Sequence, residues 1–110
     1  MPNSRTYSQY TQEAVTLLGQ LIKRGRKNRR WTAANLAERA GISLVTLRKI
    51  ENGDPGCSIG LVFETAALVE VPLFDADTTP LGTQLNRVRD HLALMPAAVR
   101  KSERKVDDDF

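Results

Sequence analysis

The chain is expected to fold as an all-α protein, on three observations. Apolar residues recur at three- and four-residue spacing along most of its 110 residues, and strict alternation is nearly absent. Leu, Ala and Val are plentiful while aromatics make up only 5%. Finally, helix punctuation falls where the periodic segments begin and end: Thr32, Ser43 and Ser58 as caps, Gly41, Asn52-Gly53 and Pro72 as stops.

The elements follow in order. Residues 1 to 10 are polar and read as a flexible start. A first helix is expected from about Thr11 to Lys27, with Val15, Leu18, Ile22 and Gly25 at helical spacing and Leu17 and Leu21 beside them. Thr32 then caps a short second helix whose inward face is Leu36, Ala37 and Ala40. Gly41 ends it, as a residue that tolerates a left-handed backbone, and Ile42 plugs the turn. Ser43 caps a third helix with Leu47 and Ile50 inward, closed by Asn52-Gly53. Two short helices joined by a tight Gly turn form a helix-turn-helix, whose second member can lie in the major groove of DNA.

Downstream, Ser58 is placed to cap a fourth helix with Leu61, Val62, Thr65, Ala66 and Val69 inward, stopped by Pro72. Leu73 and Phe74 are expected to pack back onto the core as a short fifth turn or helix. After Pro80, Leu81, Leu85, Val88 and Leu92 form an apolar stripe, with Gln84, Arg87, Arg89 and Asp90 facing away. Such a stripe beyond a closed domain needs cover, from its own domain, a partner subunit or a different protein. From Pro96 the chain turns charged, through Arg100, Lys101, Arg104 and Lys105 to Asp107, Asp108 and Asp109, and residues 96–110 read as a disordered tail. The expected organisation is thus a flexible start (1–10), a DNA-binding domain (11–76), an amphipathic helix for dimer or partner contact (77–95) and a charged tail (96–110).

Charge and chemistry narrow the function. The net charge of +3 is unevenly spread, with Lys23, Arg24, Arg26, Lys27, Arg29 and Arg30 clustered at the end of the first helix and in the following turn. Placed directly before a helix-turn-helix, such a run can neutralise DNA phosphates and release their counterions. The single cysteine, Cys57, excludes an internal disulfide and fits a reducing cytoplasm. No segment resembles a signal peptide or could span a bilayer, so no membrane partner is expected. One histidine, His91, and one cysteine make no metal site, and no paired nucleophile and base are visible. Neither an enzyme nor a cofactor is expected.

Residues 32–53, TAANLAERAGISLVTLRKIENG, resemble the helix-turn-helix of Cro/C1-type repressors (the Xre family), and the likeness extends over roughly residues 14 to 75. It implies a five-helix, lambda-repressor-like domain followed by the amphipathic helix and tail. It also implies roles. Leu44, Val45 and Lys49 match base-reading positions, and Ser43, Thr46 and Arg48 match positions touching bases or phosphates. Lys27, Arg29, Arg30 and Thr32 complete the implied DNA-binding set, while Arg26 and Glu51 match a structural ion pair between the first and third helices. Three departures stand out: Ala33 replaces a phosphate-holding Gln, Leu44 and Val45 stand where polar readers are usual, and Glu70 replaces the Gly that ends the fourth helix.

The ending resembles, over about 15 residues, small antitoxins of the HipB type. It does so through Leu94, Pro96, Val99-Arg100 and an acidic terminus closed by Phe110. That likeness implies a HipA-like kinase toxin as partner, with Leu81, Leu85, Val88, Leu92 and Phe110 as contact candidates. The expected protein is a homodimer that sets two recognition helices roughly 34 Å apart on an inverted-repeat operator in double-stranded DNA. It would repress its own operon as the antitoxin of that kinase. A stand-alone repressor, or an interaction module that has lost DNA binding, are the other readings.

Overall fold

The computed structural model describes residues 5–97. Its helices are α1 (Gln9–Asn28), α2 (Ala33–Ala40), α3 (Leu44–Glu51), α4 (Ile59–Leu68) and α5 (Leu81–Leu94), with no strand among the described residues. The chain divides into two compact units at the Phe74–Asp75 junction, the first holding α1 to α4 and the second α5.

Side-chain caps set where the helices start. Ser8 accepts the Thr11 N–H at 3.2 Å, so α1 begins at Gln9, earlier than its apolar periodicity alone suggests. Thr32 and Asn35 form a reciprocal capping box on α2, and Ser43 caps α3 by accepting the Thr46 N–H at 3.0 Å. Gly41 adopts the left-handed conformation (φ 72°) that turns α2 into α3.

These starts and stops bring together a small core of Ile22, Leu36, Ala37, Leu47, Ile50, Ala66 and Val69. Fully burying each large aliphatic member contributes roughly 1.5–3 kcal/mol. Around it pack Leu18, Trp31, Ile42, Cys57, Val62 and Leu73, half-buried. Leu61, expected inward, is 39% exposed. At roughly 100° per residue it lies about a quarter turn off the line of Val62, Thr65, Ala66 and Val69, and so falls on the flank of α4.

The inner stripe of α1 is Gly19, Ile22 and Arg26. A Cβ on Gly19 would stand 2.5 Å from the Ile50 carbonyl oxygen and 2.8 Å from that of Glu51. A side chain is therefore missing where the end of α3 crosses α1. Three residues from Ile22 on the other side, Gly25 lies close to Val69 of α4, where a Cβ would stand 2.9 Å from the valine Cβ.

Two turns need comment. Of the turn or helix expected after Pro72, the chain forms turns over residues 73–79, with Phe74 (φ 54°) and Asp75 (φ 58°) both left-handed, which stops helical propagation. Leu73 still reaches the core, and the exposed Phe74 ring meets Phe63 edge-on at 6.0 Å. At the end of α4, Glu70 keeps the turn that a glycine would make and adopts φ 57° to do so, its N–H bonding the Ala67 carbonyl at 3.0 Å.

Gly19→Ala is expected to lower unfolding free energy by roughly 2–3 kcal/mol, because backbone rather than a flexible side chain blocks the new methyl. Gly60→Ala, which meets nothing within 4 Å, should gain about 0.5 kcal/mol. Glu70→Gly relieves the left-handed backbone but gives up the carboxylate that pairs with Arg29, so the two effects should offset to within about 0.5 kcal/mol. Urea titration of the three variants measures each shift, and a stabilised Gly19→Ala would contradict the packing described.

Candidate nucleic-acid interface

α3 is held from behind. Arg26 Nε donates to Glu51 Oε2 at 2.7 Å and Arg26 Nη2 to Glu51 Oε1 at 3.0 Å, a two-pronged pair between α1 and the last residue of α3. Arg26 Nη1 donates to the Trp31 carbonyl at 3.0 Å, tying in the loop before α2 as well. Both side chains are buried. The hydrogen bonds to Glu51 raise the Arg26 pKa above its already high ordinary value, with burial opposing, so the guanidinium stays charged at any working pH.

With its rear anchored, α3 presents Leu44, Val45, Arg48 and Lys49 to solvent. Arg48 and Lys49 form no ion pair among the described residues. Ser43 and Thr46 are engaged with each other: beyond capping, the Ser43 hydroxyl donates to Thr46 Oγ1 at 3.0 Å.

The basic run divides by structure. Lys23, Arg24 and Lys27 are exposed on α1 and, with Thr16, Gln20, Asn28, Glu51 and Asn52, line an open groove of about 480 Å³ beside the end of α3. Arg30 is exposed with a left-handed backbone (φ 60°). Arg29 turns the other way. Its Nη1 donates to the Val69 carbonyl at 2.9 Å and its Nη2 pairs with Glu70 at 2.9 Å, so it fastens the end of α1 to the end of α4. Its guanidinium is committed to that junction, which gives it a structural role not foreseen among the phosphate-contact candidates. Thr32 is likewise engaged, its hydroxyl capping α2.

Two features escaped sequence reasoning. Trp31 lies under the Arg39 guanidinium, 4.1 Å from the ring centroid, which braces the entry to α2. Gly19 is the other, and its position on the buried stripe of α1, seven residues before Arg26, was the available signal.

Outside this face, Leu81, Leu85, Val88 and Leu92 are 45%, 49%, 56% and 60% exposed, and no residue of α5 is buried. Phe110 and the rest of the tail candidates from residue 98 onward lie outside the described residues. His91 is exposed on α5. Burial pushes the Cys57 thiol above its ordinary pKa, with Asp54 adding and Lys49 opposing. No cluster of three or more His, Cys, Asp or Glu side chains that could hold a metal ion occurs among the described residues. No helix among them is long and apolar enough to cross a membrane.

A family model described as a helix-turn-helix domain matches residues 17–77, more than half of the chain. The chain belongs to the helix-turn-helix domain family. It is a DNA-binding regulator of the Xre/Cro type, and α2 and α3 are the two helices of its motif. Comparison with curated proteins and with solved structures gave no match.

Removing either partner of the buried pair in this helix-turn-helix protein, as in Arg26→Ala or Glu51→Ala, should cost roughly 3–5 kcal/mol of stability, because the other charge is left buried and unpaired. Lys49→Ala should stay within about 0.5 kcal/mol of the parent. Thermal denaturation of the three variants distinguishes framework from surface.

Proposed function

We propose that this helix-turn-helix protein is a sequence-specific repressor that binds an inverted-repeat operator as a homodimer and serves as the antitoxin of a HipA-like kinase. The carrying observation is the anchored α3, with Val45, Arg48 and Lys49 exposed on one face. Lys49 and Arg48 have the chemistry to donate to guanine edges or phosphates, and Leu44 and Val45 flank them. Lys27 and Arg30 supply sequence-independent phosphate contact, while Ser43, Thr46 and Thr32 position helix starts against the backbone of the duplex.

The dimer reading rests on α5. Leu81, Leu85, Val88 and Leu92 alternate four- and three-residue steps, the spacing of a helix pair seam, and all four are exposed. The antitoxin reading rests on the likeness of residues 94–110 to HipB-type endings. A charged segment closed by an aromatic is suited to folding onto a partner.

Fluorescence anisotropy with the chain's own upstream DNA should show tighter binding than to a scrambled duplex. Lys49→Ala should lower operator affinity by about 1–3 kcal/mol, and Lys27→Ala should weaken all duplexes alike and reduce the salt slope by about 1. Equal affinity for operator and scramble would overturn specific reading. A pull-down from native cells should recover a HipA-like kinase with the full chain and lose it with a bait lacking residues 96–110. Recovery of no kinase would leave a stand-alone repressor.

A further inference from the structure

The outward face of α3 carries two chemistries. In its leading turn the Ser43 hydroxyl is turned back on the helix, accepting from the Thr46 N–H and donating to Thr46 Oγ1, each at 3.0 Å. What that turn offers outward is hydrocarbon: Val45 is 65% exposed and Leu44 37%. At roughly 100° per residue, Val45 points about opposite the mean direction of the buried Leu47, Ile50 and Glu51, so a surface approaching α3 meets it first. Lys49 stands one turn later on the same line.

The major groove offers one apolar recognition feature, the C5 methyl of thymine. Valine suits it, since a β-branched side chain on a helix is held in one dominant rotamer and presents its methyl groups already ordered. The exposed α3 residues include no Asn or Gln, the side chains that grip adenine with two hydrogen bonds. An A·T pair facing this helix is therefore recognised from its thymine.

We infer that Val45 reads a thymine in each half-site through its C5 methyl, with Lys49 donating to a guanine one or two base pairs away. The spacing follows from the helix turn of about 5.4 Å against a base step of about 3.4 Å. The inference rests on the assignment of α3 as the reading helix and names what that helix reads.

The test begins by selecting operators from a random duplex pool with the full-length protein. Anisotropy then compares each selected duplex with one in which single thymines are replaced by deoxyuridine, which removes only the methyl. At one thymine per half-site, within two base pairs of a guanine, the replacement should weaken binding about fourfold. Val45→Ala, an exposed position that leaves the fold intact, should bind the thymine and uracil duplexes equally. Operators that are selected yet indifferent to every thymine-to-uracil change would overturn the inference while leaving specific binding standing. So would methyl sensitivity that persists in Val45→Ala. A pool that enriches no motif would overturn the DNA-reading assignment itself, and this inference with it.

Discussion

The buried pairing of Arg26 with Glu51 is the interaction on which the rest of the structure depends. It joins the last turn of α1 to the last residue of α3, and through the Trp31 carbonyl it also fixes the loop into α2. Two charges removed from water are stabilising only when geometry and hydrogen bonding are good, and the two-pronged arrangement meets that condition. The bare backbone of Gly19 is what lets α1 and α3 approach closely enough for it to form.

From that anchor a division of labour among cations follows. Arg26 and Arg29 are framework: one ties α1 to α3, the other ties α1 to the end of α4 through Val69 and Glu70. Lys27, Arg30, Arg48 and Lys49 stay exposed. Between Arg26 and Arg30 the charges that hold the helices therefore alternate with those that face solvent, and composition alone cannot separate them. Glu70 shows the same economy, filling a turn that suits glycine while supplying the carboxylate for Arg29.

Much of the fold was legible because its signals are local. Thr32, Ser43 and Gly41 announce the two short helices by cap and stop chemistry, and Leu36, Leu47 and Ile50 mark their buried faces at helical spacing. What was not legible is set by contacts distant in sequence. Arg29 reads as one more basic residue until Val69 and Glu70, some forty residues on, are brought beside it. Arg26 and Glu51 are 25 residues apart, so their pairing came from family resemblance rather than from any local pattern. At Leu73 and Phe74 the sequence leaves turn or helix open, and two successive left-handed residues, Phe74 and Asp75, decide for turns.

Anchored from behind, α3 has its outer face left to meet DNA. The most direct measurement is an amide NMR titration of the isotope-labelled full chain with its operator duplex. The largest shifts should fall on residues 43–49 and on the turn at 27–32. Changes confined to α5, or spread over the buried stripe of α1 with α3 unmoved, would contradict it.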